Sequence, residues 1–254
     1  MINIKSLIIF LLLGFIFSEN KRHSYIFYYP WYGNPKFNNE YRHWNHEIIG
    51  HKELPNYHGE FDIGANFYPE LGSYSSYNPK VIDTHFKQIK NSNIEIVSIS
   101  WCGIDSFEDK IMDKLLNYAS IYDLKINIHI EPFYNSINEF KEIISYISKK
   151  YTSHPQFYKY INKPLYFIYD SYKLKTNQWV EIKNSIPNNI FIGLLRDIQD
   201  TTLIEKNGFN GAYSYFVAKN FTEGSNPENW KLLTDWAKQN DKLFIPSVGP
   251  GYKD

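Results

Sequence analysis

Two carboxylates stand where strands should end. Glu131 follows the run Lys125-Ile126-Asn127-Ile128-His129-Ile130 and precedes Pro132, which stops a strand. Asp170 closes Leu165-Tyr166-Phe167-Ile168-Tyr169. A carboxylate has no helical role at either place, so each side chain either contacts a ligand at a rim or bonds a neighbouring barrel residue. For Asp170, loop capping also competes. Two carboxyl groups facing one scissile bond are what glycosidase acid and base work requires, which makes Glu131 and Asp170 one candidate pair. Sequence positions do not supply their separation.

Rings surround these acids. Aromatics make up 18% of the chain, with 22 tyrosines, and tyrosine and tryptophan combine an apolar face with a polar tip. That chemistry suits carbohydrate, whose C–H faces stack on rings while its hydroxyls seek hydrogen bonds; many of these rings must also fill the core. The run Phe27-Tyr28-Tyr29-Pro30-Trp31-Tyr32-Gly33-Asn34-Pro35 reads as a first strand broken by proline and glycine. It opens into a roughly 45-residue connection, and connections that long are usually functional. This one carries His43-Trp44-Asn45-His46. Further strand ends carry Trp101, Arg196 with Asp197, Tyr215 with Phe216, and Tyr252.

Other chemistries find little support. His43, His46, His51 and His58 lie in one connection, but no paired cysteines and no His-Glu-x-x-His spacing accompany them, so no metal is expected. No phosphate-cradling glycine loop and no Gly-x-Ser-x-Gly elbow occurs, and no cofactor is called for. Cys102 is the single cysteine, which rules out an intrachain disulfide; it reads as a small buried hydrophobe rather than a nucleophile. Lysine plus arginine equals aspartate plus glutamate at 27 each, so no net field recruits nucleic acid.

The elements that must position these residues alternate. Short apolar strands at 25–29, 95–101, 125–131, 164–170, 189–195, 211–216 and 243–248 are separated by helical patterns, which predicts βα units and a parallel sheet buried on both faces. Asn78-Pro79 and Asn226-Pro227 predict helix starts, and Ser136 with Glu139 predicts a capping box ahead of the stripe Phe140, Ile143, Ile144, Ile147. Gly208 predicts a helix stop. One domain over 24–254 is expected, an α/β barrel of the (β/α)8 TIM type. It is incomplete, with seven strands and the eighth βα unit missing at the C-terminus. In such a barrel the site lies at the C-terminal ends of the strands.

Residues 1–20 begin with Lys5 and continue through an eleven-residue apolar run, Leu7–Phe17 (6–17 with Ser6), to Ser18. The run is shorter than the about 20 residues of a membrane span and reads as a secretory signal peptide, or as a signal anchor holding the chain to a membrane. Asn220-Phe221-Thr222 is a candidate glycosylation acceptor.

Several blocks in order resemble glycoside hydrolase family 99, from about Tyr25 to the last residue. They are Tyr28-Tyr29-Pro30-Trp31-Tyr32-Gly33, His43-Trp44-x-His46, Phe67-Tyr68-Pro69-Glu70-Leu71-Gly72-x-Tyr74-Ser75, Ile99-Ser100-Trp101, Phe167-Ile168-Tyr169-Asp170-Ser171-Tyr172, Gly208-Phe209-Asn210-Gly211-Ala212-Tyr213-Ser214-Tyr215-Phe216 and Ile245-Pro246-Ser247-Val248-Gly249-Pro250-Gly251-Tyr252. The resemblance implies a metal-independent, endo-acting α-1,2-mannosidase of the Golgi that releases glucosyl-mannose from glucosylated high-mannose N-glycans with retention; a monomer is expected. It implies two catalytic glutamates in an Asn-Glu-Trp-x-x-Glu motif, which these 254 residues lack, so no catalytic residue is assigned and the chain is expected to be inactive. The substrate contacts it implies are Trp101 beneath an outer sugar, Tyr215 beside the cleavage point, and Tyr29, His43, Trp44 and Glu131 lining the site; the strand ends themselves add Trp31, Asp170, Tyr213 and Tyr252 as candidate contacts. Neighbouring strand residues face opposite ways, which leaves Tyr28 against Tyr29 open. A catalytically dead glycan-binding protein that keeps the aromatic cleft is the alternative.

Overall fold

A computed structural model describes residues 23–44, 63–64, 67–217 and 221–249. The leader at 1–20, His46, His51, His58, Asn220 and Tyr252 lie outside the described residues.

Seven parallel strands follow one another in sequence order. They are β1 (Tyr25–Tyr28), β2 (Ile96–Trp101), β3 (Lys125–Ile130), β4 (Lys163–Ile168), β5 (Ile190–Leu194), β6 (Gly211–Tyr213) and β7 (Leu243–Ile245). A two-residue strand, Lys159–Tyr160, pairs antiparallel with β4. Helices α1 (Pro79–Asn91), α2 (Met112–Tyr122), α3 (Ile137–Lys150), α4 (Thr176–Ser185), α5 (Asp200–Lys206) and α6 (Trp230–Gln239) link successive strands on the outside. This is an incomplete (β/α)8 barrel. Its margins, β1 and β7, face one another across a groove of about 780 Å³ lined by Tyr25 and Phe27 on one side and Leu243 and Ile245 on the other.

All seven expected strands are present, although β6 and β7 are shorter than their apolar runs. Asn78 caps α1 through its side chain, which accepts from the Lys80 N–H at 3.0 Å. Ser136 caps α3 likewise, but Glu139 accepts from the Asn135 N–H instead of completing a box with Ser136. Asn226 makes no side-chain cap: the turn after it, Pro227–Asn229, is a 3-10 segment, and α6 begins only at Trp230. Gly208, at φ 72°, ends α5 in the left-handed conformation that glycine adopts without penalty.

Strand alternation sorts the side chains into two cores. Val97, Ile99 and Trp101 of β2, with Ile126, Ile128 and Ile130 of β3, point outward and pack under the helices against Phe86, Leu115, Phe140 and Ile147. Ile96, Leu165, Phe167, Ile192, Leu194 and Tyr213 point inward, joined by Tyr25, Phe27, Tyr169 and Tyr215. The inward faces of β2 and β3 are unusually polar for a barrel. Ser98 lies beside Asn127 and Ser100 beside His129 in register, and all four are buried.

Candidate active site

The polar inward positions converge where β1, β2, β3 and β6 end. Glu131, one residue past β3, is the hub. Its Oε1 accepts from the Ser100 hydroxyl at 2.7 Å and lies 2.9 Å from Nδ1 of His129. The other ring nitrogen of His129, Nε2, is 2.7 Å from the Tyr213 hydroxyl. Because a carboxylate can only accept, His129 donates through Nδ1. Its neutral form then accepts from Tyr213 through Nε2. No described residue bonds to Oε2 of Glu131, so one oxygen is fixed twice and the other is open to a donor from a ligand.

Rings enclose this carboxylate. His129 stacks on Tyr215 with centroids 5.7 Å apart, Tyr169 approaches Tyr215 at 5.1 Å, and the Tyr29 and Tyr215 hydroxyls are 2.7 Å apart. Tyr29 continues into a stack with Trp31 at 4.9 Å, and Trp31 with His43 at 4.8 Å. The loop that carries this stack is tied down by paired backbone bonds between Gly33 and Arg42, and His43 reaches it at φ 60°. Burial, then the neighbouring Tyr215, pushes the Tyr29 phenol up. Burial first and Glu131 second push Tyr213 well up, and burial does the same to Tyr215. Each of these phenols keeps its proton at neutral pH and serves as a hydrogen-bonding group, not as a base or nucleophile.

Tyr29, not Tyr28, faces the cleft; Tyr28 points outward to His85, its hydroxyl 3.1 Å from Nδ1. Four expected ligand contacts are placed elsewhere. Trp101 is wholly buried on the outward face of β2, where its Nε1 donates to Asp109 Oδ1 at 2.9 Å; it cannot lie beneath a sugar in this arrangement. Trp44 is buried against Tyr32 and Tyr74 and donates to the Tyr74 carbonyl, so it supports the rim from below. Tyr213 is wholly buried and is linked to Glu131 by hydrogen bonds through His129. Asp170 sits in a left-handed turn at φ 47°, accepting from the Tyr172 hydroxyl at 2.6 Å and accepting from the Lys173 N–H through its carbonyl, which is the loop-capping arrangement.

Ser100 and His129 are the residues that motif reading missed. Their signal was the alternation of polar and apolar residues along β2 and β3. Cys102, next to Trp101, is half-buried; burial first, then Glu108 and Glu131, push its thiol up, so it holds no thiolate. Among the described residues, no group of three or more His, Cys, Asp or Glu could hold a metal ion.

A family model described as Glycosyl hydrolase family 99 matches residues 19–254. The chain is 41% identical to a glycoprotein endo-alpha-1,2-mannosidase of Xenopus laevis over 91% of its own length and 58% of the relative's. It is 39% identical to the mouse protein of that name over 90% and 56% respectively. The chain thus spans a little over half the length of these relatives. Among solved structures it superposes on the GH99 endo-alpha-mannosidase from Bacteroides thetaiotaomicron with a TM-score of 0.84 and 41% identity, over 91% of this chain and 72% of that one. On the family model, the relatives and the shared architecture together, this chain belongs to glycosyl hydrolase family 99.

Proposed function

We propose that this chain forms the glycan-holding part of an endo-acting α-1,2-mannosidase of the secretory pathway, working in the Golgi lumen or at its membrane. The glycoside hydrolysis itself, releasing glucosyl-mannose from a glucosylated high-mannose N-glycan with retention, needs an acid and a base. Each such group contributes typically about 10²- to 10⁴-fold in rate. The motif expected to supply them is absent from these 254 residues, so this polypeptide binds the glycan without turning it over.

The observation that carries the reading is Glu131 Oε2, an acceptor left without a protein donor among the described residues while Ser100 and His129 hold its twin. A sugar hydroxyl is the donor it fits, with Tyr29, Trp31 and Tyr215 offering ring faces and phenol groups around it. Asp170 is a poor partner for a two-carboxylate hydrolysis, because it serves as a loop cap, its Oδ1 accepting from the Tyr172 hydroxyl and its carbonyl from the Lys173 N–H. Calorimetry with an α-glucosyl-mannoside, alongside a sugar-release assay, tests this. Binding without release is expected; sustained release by this polypeptide, or no heat of binding from a folded sample, sinks it.

A further inference from the structure

Outside the Glu131 cleft, the loops after β4 and β5 build a second recognition surface. The Arg196 guanidinium carbon lies 4.2 Å from the centre of the Tyr172 ring. Both partners are fixed. Tyr172 is held by its hydroxyl bond to Asp170. Arg196 is held by its Nε on Asp200 Oδ2 at 3.3 Å, the same oxygen that accepts the Arg196 and Asp197 backbone N–H groups at 3.0 and 3.2 Å. What remains of Arg196 is its pair of Nη groups, for which no described residue is an acceptor. A fork of parallel N–H donors at the end of a stacked, pre-oriented side chain suits paired oxygens on a ligand.

This surface continues the rim of the cleft. Asp170 directly follows Tyr169, which packs on Tyr215. The Lys173 ammonium donates to the Pro132 carbonyl, next to Glu131. Phe133, bonded through its N–H to the Glu131 carbonyl, leaves its ring 65% exposed on the same loop, and Tyr172 is 49% exposed. The ligand's charge follows from the neighbours. Asp200 and Asp197 act on the Arg196 guanidinium and Asp170 on the Tyr172 ring beside it, so with Lys173 counted the three carboxylates still outnumber the two cations of this surface, which disfavours a phosphate or carboxylate. A neutral diol keeps the two acceptor oxygens without the repulsion.

Resting on the glycan reading of the Glu131 cleft, we infer that Arg196, stacked on Tyr172, binds the vicinal hydroxyls of a further, uncharged sugar unit of the same glycan. The site lengthens the ligand that is recognised; it does not create the recognition at Glu131.

The test compares calorimetric affinities of the chain for glucosyl-mannose and for a linear tetrasaccharide carrying two more mannose units. The longer ligand should bind about tenfold tighter, the worth of hydrogen bonds to a charged donor. Arg196→Met should keep the disaccharide affinity and lose most of that gain, and Arg196→Lys, which keeps the charge but not the fork, should lose it too. A phosphorylated mannoside should gain nothing over its neutral counterpart. Full retention of the gain in Arg196→Met, an equal loss of disaccharide affinity, or preferential binding of the phosphorylated ligand overturns the inference. Disaccharide binding with no gain in the parent chain overturns it alone, whereas no binding of either sugar removes the cleft reading with it.

Discussion

The hydroxyls of Tyr29 and Tyr215 meet at 2.7 Å and join the end of β1 to the end of β6 across the mouth of the barrel. Among the described residues β1 pairs in the sheet with β2 alone, so this side-chain bond is a further tie, holding a marginal strand against the far wall. Replacing either tyrosine with phenylalanine should cost about 0.5–1.5 kcal/mol. The double variant should cost little more than one alone, since both singles delete the same bond. Urea unfolding of the four proteins measures the cycle, and strict additivity would show that the two hydroxyls do not interact.

Glu131 should govern ligand affinity. Glu131→Gln keeps the shape but replaces the charged acceptor, and affinity for α-glucosyl-mannose should fall about tenfold or more. His129→Phe should weaken binding as well while destabilising the fold, because Tyr213 loses its partner in a dry site. Calorimetry and melting temperature read the two effects separately. Unchanged affinity in Glu131→Gln would remove the carboxylate from the ligand site.

Asp109 supports the β2 loop from behind the sheet. Burial alone would raise its carboxyl, but donors from Tyr146, Tyr151, Trp101 and the Asp105 N–H outweigh it and hold the pKa below the ordinary value of 3.8. A carboxyl depressed on folding contributes stability that is present above its unfolded pKa and is lost as pH falls through the folded one. Asp109→Asn should therefore be less stable at pH 7 and show a shallower loss of stability below about pH 4. Parallel acid-unfolding slopes in parent and variant would contradict this.

Lys183 titrates in the opposite direction. Burial, then the nearby Lys163 and Lys242, lower its ammonium to about 8. It donates to the Asn189 carbonyl and to Asn210 Oδ1 and lies 4.9 Å from the Phe191 ring centre. Between pH 8 and the ordinary value of 10.5 the unfolded chain binds the extra proton, so this group's contribution to stability rises with pH in that window. The buried tyrosines, which stay protonated in the fold, reverse the trend above about pH 10, where unfolded phenols ionise. Lys183→Met should abolish the gain between pH 7.5 and about 9.5 in thermal melts, and an identical pH profile would refute it.

Fold and site were legible in the sequence to different depths. The strands showed through because each is a short apolar run closed by a breaker, as Pro132 closes the third. Their facing did not, because Val97, Ser98, Ile99, Ser100 and Trp101 read as one continuous run when the sheet is assumed buried on both sides. Read with a period of two, Ser98 and Ser100 share one face and Trp101 the other. Asn127, His129 and Glu131 share the inner face in the same way. That pattern would have shown His129 and would have sent Trp101 to the helices. For Asp170 the loop-capping reading holds, but its left-handed turn and its bond to Tyr172 depend on the loop closing, which no local pattern encodes.

The Asp109 cluster reaches further than its own stability. Tyr146 and Tyr151, on and just after α3, grip Asp109, and Asp109 grips both the Trp101 ring and the Asp105 backbone at the foot of the β2 loop. The stiffness of the Glu131 cleft is thus set from its back. Warming that loosens the outer shell would blunt discrimination among ligands before the sheet gives way.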